Sequence, residues 1–275
     1  MSYKTILVSL NDLERNTVLL DSAARLARTL DADLDGLFAI PAIQIYTGIG
    51  LEPLIFEDIR EMFRKAERSV RISFESALKH NGIRGAFEAV DSASPDVADY
   101  VIDRARRSDV TIISQPSEDS NERRSAERIL LSTGRPTIVL PRTGKTGLDA
   151  RLAIIGWSGT REAARAAFDS VPLLRAAGKV EVVWVNPEKS LPYERGLPDG
   201  GLADALSRHG INAVFTPIST EGGGAGETLL KIAADRGAEL LVMGAYGHSR
   251  LSEMILGGAT RSVLKDMHCP VLFSH

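Results

Sequence analysis

The chain alternates short apolar runs with longer stretches whose apolar residues recur every three or four positions. Thr5-Ile-Leu-Val8 is the first run, followed by a polar turn at Asn11-Asp12. Val18, Leu19, Ala23, Leu26, Ala27 and Leu30 then fall on one helix face. Leu34 to Ile40 predicts a strand closed by Pro41, and a loop leads to a long helix over about Phe56 to Lys79. Gly85 to Val90 predicts a strand, Pro95 to Arg107 a helix and Asp109 to Ser114 a buried strand. A helix at about Arg123 to Leu131 precedes the strand Thr137 to Leu140.

The same order then recurs. Strands are predicted at Arg151–Gly156, Val180–Val185, Ala213–Ile218 and Leu240–Met243. Helices between them are predicted at Thr160–Ala176, Asp199–His209 and Ala225–Arg236. The closing segments GRPTIVLP and HCPVLFSH resemble each other directly. Strands alternating with helices imply parallel sheets covered on both faces. The expectation is an α/β protein of two tandem, open-twisted, five-stranded parallel sheets with Rossmann-like order. The units are placed at 1–141 and 150–275, with a polar linker at 142–149 whose flexible points are Gly144 and Gly147. The loop after Pro41 and the stretch Pro187 to Gly201 occupy the same place in each unit, as lids, interaction surfaces or plain solvated connections.

Composition narrows the partners. At 275 residues, 44% hydrophobic and 25% charged, the chain reads as an ordinary soluble globular protein long enough for two domains. A net charge of -3 gives no bulk reason for a nucleic-acid partner, and 5% aromatics advertise no stacking platform. Cys269 is the single cysteine, which excludes an intramolecular disulfide. The five histidines (His80, His209, His248, His268, His275) lack ligand spacing, so no metal site is expected. No apolar run approaches the ~18–20 residues of a membrane span, and MSYKTILVSLNDLERN lacks a secretory h-region. A cytoplasmic location is expected.

Candidate chemistry concentrates in GAYGHSRLSEMILGGAT, residues 244–260. Glycine is a poor helix former, so its density here needs a reason. Gly244 and Gly247 follow the strand Leu240–Met243, at the end where open α/β sheets bind ligands. Gly257 and Gly258 suit a helix start, with Arg250–Leu256 as a short helical turn and Ala259–Met267 as the helix proper. That helix would aim bare N–H groups and its positive dipole end at the loop. Thr260 adds a hydroxyl, and His248 and Arg250 flank the opening. Two readings stand: a phosphate cradle built from backbone, or glycines that serve close packing of helix on sheet.

The spacing Gly-x2-Gly-x9-Gly, closing with Cys-Pro-Val-Leu, resembles the nucleotide-binding motif of the universal stress protein family, in its tandem form. The resemblance implies the adenine nucleotide alpha hydrolase-like fold and ATP, ADP or AMP, with or without magnesium, across the strand ends. By it Gly244, Gly247, Gly257, Gly258, Ala259 and Thr260 would hold the phosphates, and Met243 and Val185 would line the adenine and ribose. Where the family often has an acidic residue after the first strand, this chain has Ser158, and Asn11 in the first copy. The family's usual serine after the third motif glycine is Gly258. In the first copy the equivalent stretch reads SQPSEDSNERRSA. It has no glycine, and Glu118, Asp119 and Glu122 would repel phosphate, so the first copy is expected not to bind. Single-copy relatives dimerise through their last strands. That implies an antiparallel pairing of Thr137–Leu140 with Val271–Phe273, an internal pseudo-dimer, with a homodimer and an unknown protein partner left open.

Two decoys are set aside. Thr143-Gly-Lys-Thr146 resembles the end of a P-loop, but position 139 is Val139 where the motif needs glycine. Gly222-Gly-Gly-Ala-Gly226 on the same rim is a lid or a flexible turn. Ser158-Gly-Thr-Arg matches only the start of an adenylating loop, and no carboxylate pair or nucleophile–base set stands out. No catalytic residue is expected, and any ATP hydrolysis would be slow. A ligand-free interaction scaffold is the alternative function.

Overall fold

The computed structural model describes residues 2–42, 54–93, 96–189, 200–247 and 258–275. They form two compact units, one over Tyr3–Thr133 and the other built on Gly134–His275. In the first, strands β1 (Thr5–Ser9), β2 (Asp33–Ile40), β3 (Phe87–Asp91) and β4 (Val110–Ser114) lie in the order β3-β2-β1-β4. Helices α1 (Asn16–Leu30), α2 (Leu54–Asn81) and α3 (Ala98–Ala105) connect them, and α4 (Ser120–Ser132) follows β4. All the pairings of β1 with β2 and β4, and of β2 with β3, are parallel. The strand order reverses between β1 and β4. Right-handed crossovers therefore put α1 and α2 on one face and α3 on the other.

The second unit begins with β5 (Thr137–Leu140). It continues with β6 (Leu152–Trp157), α5 (Arg161–Asp169), α6 (Val171–Leu174), β7 (Lys179–Val185), α7 (Gly200–Ser207) and β8 (Ala213–Ile218). Helix α8 (Ala225–Arg236), β9 (Leu240–Gly244), α9 (Gly258–Asp266) and β10 (Val271–Ser274) complete it. The order is β5-β10-β9-β6-β7-β8. Strands β6 to β10 run parallel, and β5 pairs antiparallel with β10, Val271 opposite Val139 and Phe273 opposite Thr137. Each of those two short strands, apolar and fully buried, thereby protects an edge of the other.

Two local expectations change. The helix predicted over Thr160–Ala176 is two, because Pro172 cannot donate to the ladder and the chain restarts at Val171. The linker residue Gly144 is held rather than loose. Its φ is +97°, a Cβ there would collide with the His268 carbonyl, and the Lys145 amide donates to that carbonyl at 3.0 Å. Lys145 Nζ reaches Gly237 O and Glu239 Oε1, each at 3.1 Å, so the P-loop-like lysine is an anchor. The stretch 43–53, most of Pro187–Gly201 and the predicted turn Arg250–Leu256 lie outside the described residues. No described helix is long and apolar enough to cross a membrane.

Candidate functional site

In the second unit the strand order reverses between β6 and β9, whose register sets Gly156 beside Met243. The carboxyl ends of β6, β7 and β9 and the N-termini of α5 and α9 border this switch point, where open α/β sheets form their crevice. Met243 is buried at 5% exposure inside β9, and Val185 ends β7 opposite Ile218. Ser158 is half-buried in the β6–α5 turn, its hydroxyl 3.1 Å from Thr160 Oγ1. Thr160 caps α5 by accepting the Ala163 N–H at 3.3 Å.

The glycines divide by environment. A Cβ on Gly244 would stand 2.6 Å from the Ala163 nitrogen and from the Glu162 carbonyl carbon. A Cβ on Gly247 would stand 3.0 Å from Thr160 Oγ1 and 3.2 Å from Glu162 Oε2. The loop after β9 is thus pressed onto the first turn of α5; main-chain packing explains Gly244, while Gly247 faces side-chain atoms only. Gly258 is different: it is exposed, and among the described residues nothing lies within 4 Å of a Cβ built there. Ala259 is half-buried beside it, and Thr260 is buried at 2% exposure. Thr260 Oγ1 accepts the Tyr246 N–H at 3.1 Å, tying α9 to the loop. Tyr246 itself has φ +56°, a left-handed conformation unusual for a tyrosine. His248, Arg250 and Gly257 lie outside the described residues.

Glu162 borders the candidate site, and the glycine spacing does not mark it. Its carboxylate is buried at the first turn of α5 and faces Gly247. Burial acts to raise its pKa. Its own backbone N–H, the Arg161 guanidinium at 2.8 Å and the nearby His275 ring outweigh burial and hold it below the ordinary carboxylate range. The N-terminus of α5 therefore already has a resident anion. That of α9 carries no acidic residue in its first turn. Thr160 followed by Glu162 at the head of a helical run is an N-cap signal, and it was the clue available in the sequence.

The equivalent crevice of the first unit, between β1 and β4, is filled from within. Arg15, 8% exposed, donates through Nη1 to Ser114 Oγ at 2.7 Å, and that hydroxyl donates to Asp12 Oδ2 at 2.7 Å. Asn11 is committed to both backbone groups of Ala39. Helix α4 is capped by its own carboxylates: Asp119 Oδ1 accepts Asn121 N at 2.7 Å and Glu122 N at 3.1 Å. Glu122 Oε2 accepts Ser117 N at 2.8 Å.

Comparison with known proteins follows this division. The universal stress protein family model matches residues 158–275. A universal stress protein of Methanocaldococcus jannaschii is 41% identical over 46 residues, 17% of this chain and 28% of that protein. One from Synechocystis sp. is 27% identical over 147 residues, 53% of this chain and 49% of that protein. The chain thus spans half or less of these curated relatives. The crystal structure of a universal stress protein from Archaeoglobus fulgidus superposes with a TM-score of 0.69 at 16% identity. That superposition covers 98% of this chain and 95% of that one, and speaks for the fold.

Proposed function

We propose, from the premise that residues 158–275 of this chain belong to the universal stress protein family, that its second unit binds an adenine nucleotide and that the chain acts as a nucleotide-dependent regulatory protein. The observation that carries the reading is the contrast between two helix starts. Among the described residues the first turn of α9 is open at Gly258 and free of acidic residues, whereas the first N–H groups of α4 are closed by Asp119, and Glu122 adds a second carboxylate there by accepting the Ser117 N–H. An open helix start with its dipole unopposed favours phosphate. A start already satisfied by carboxylates does not.

On this reading the phosphates of ATP, ADP or AMP lie against the amides of Gly257, Gly258, Ala259 and Thr260, flanked by His248 and Arg250. The buried Glu162 carboxylate disfavours phosphate near Gly247, so the chain of phosphates runs toward α9. Gly244 and Gly247 set the path of the loop. Met243, Val185 and Ser158 border the adenosine end, where Ser158 offers a hydroxyl to a ligand hydroxyl or ring nitrogen. The first unit, with Arg15 in its crevice, has a supporting role, and the two units are a tandem pair of one domain type.

The test is direct. Purified protein is denatured and the supernatant resolved for adenine nucleotides, and the melting temperature is followed as ATP is added. Released nucleotide or a rising melting temperature supports the reading. Neither, together with intact fold, favours a ligand-free scaffold.

A further inference from the structure

Helix α8 is seated by two glycine contacts. Its buried face is Gly226, Leu229, Leu230 and Ala233, one stripe at helical spacing. In the second turn Leu229 presses on β6, with its Cδ1 2.7 Å from where a Gly156 Cβ would stand. In the first turn Gly226 meets α9: a Cβ there would be 2.5 Å from the Ala259 carbonyl oxygen, 2.8 Å from its Cα and 3.0 Å from its carbonyl carbon. All three are main-chain atoms of the first turn of α9, so no side-chain rotation can relieve the overlap. Two residues earlier Gly224 has open space around it among the described residues.

We infer that Gly226 is a positioning residue for the nucleotide site, acting through Ala259. This rests on the reading that α9 receives the phosphates. Alanine is intrinsically the better helix former, so glycine at this place serves the approach of the two helices. A side chain there moves the start of α9, and with it the amides of Gly258 to Thr260. The neighbouring glycines 222 to 224 have no such role. Glu227 Oε2 accepts the Gly224 N–H at 3.3 Å, and the Thr220 hydroxyl donates to Gly222 O at 2.9 Å, which makes that loop a turn held by its own side chains.

The experiment measures ATP affinity by calorimetry on the full chain as wild type, Gly226→Ala and Gly224→Ala, with the melting temperature of each in the absence of ligand. Displacing phosphate-binding amides by a few tenths of an ångström is expected to weaken ATP about tenfold in Gly226→Ala, measured well below its melting temperature. Gly224→Ala is expected to match wild type. If the wild type binds and Gly226→Ala binds equally well, the inference falls while the proposed function stands. If the wild type binds no adenine nucleotide, the proposed function falls and this inference with it. Should Gly226→Ala not fold, hydrogen exchange on the wild type decides. ATP must then slow exchange in the first turn of α8 as well as in α9, and protection confined to α9 overturns the coupling.

Discussion

Thr260 Oγ1 accepts the backbone N–H of Tyr246 at 3.1 Å, so the helix start and the strand-end loop of the candidate site are one hydrogen-bonded unit. The hydroxyl that the sequence suggests as a ligand donor spends its acceptor capacity inside the protein. It fixes a loop residue held at φ +56°. Replacing Thr260 with valine keeps the shape and removes the hydroxyl that accepts the Tyr246 N–H, which is expected to cost about 1–2 kcal/mol in denaturant unfolding. Thr260→Ser retains the acceptor and is expected to keep most of that stability. Equal losses in the two variants would contradict the assignment.

Gly244 and Gly258 belong to the same motif and are expected to respond unequally in the absence of ligand. A methyl group on Gly244 meets α5 main chain at 2.6 Å. Overpacking of this kind costs about 1–3 kcal/mol. Among the described residues nothing lies within 4 Å of a Gly258 methyl group, and Gly258→Ala is expected to change stability by less than about 0.5 kcal/mol. Thermal unfolding of the two ligand-free variants separates a glycine that packing requires from one that packing does not.

The linker anchor makes an acid-sensitive contribution. Glu239 is held to about 2 by the Arg151 guanidinium and backbone N–H, with Lys145 adding to them. A carboxylate with a depressed folded pKa stabilises the fold at pH values above its unfolded pKa of about 4.3. That stabilisation is lost as pH falls from there toward 2. Because Arg151 and Lys145 are exposed, the contribution is kept to about 1 kcal/mol. Glu239→Gln is expected to lower stability at pH 7 and to flatten the decline between pH 4 and 2. An unchanged acid limb would contradict this.

Cys269 is fully buried just ahead of β10, and burial pushes its thiol up to about 11. A thiol-reactive disulfide reagent at pH 8 is expected to modify it only as the second unit unfolds, so its rate reports that unit's opening. Rapid labelling of the native protein would be inconsistent with the packing.

Much of the fold is legible in the sequence because helix and strand periodicities differ and the two repeats check each other. Ala213–Ile218 and Ala225–Arg236 match their predicted bounds. Pro172 broke a helix that the apolar spacing ran through, since periodicity does not register a missing N–H. The antiparallel pairing of Thr137–Leu140 with Val271–Phe273 was reached through family resemblance, and the register confirms that pairing. The candidate site is legible only as a place, the carboxyl end of β9. The division of labour among its glycines is not, because it depends on what each faces. Gly244 meets α5, Gly226 meets α9 and Gly258 meets nothing among the described residues. Glu162 was hidden for a similar reason: a carboxylate in a first helical turn reads as an ordinary cap until the loop carrying Gly247 is seen folded over it.

The central claim is one nucleotide site per chain, at the start of α9. Calorimetric titration of ATP into the full chain, beside a Gly258→Glu variant that sets a carboxylate at that helix start, tests it most directly. The account predicts binding of a single ATP per chain in the wild type and none in a variant that keeps its circular dichroism and melting temperature. Two ATP per chain, or undiminished binding by the folded variant, would contradict it.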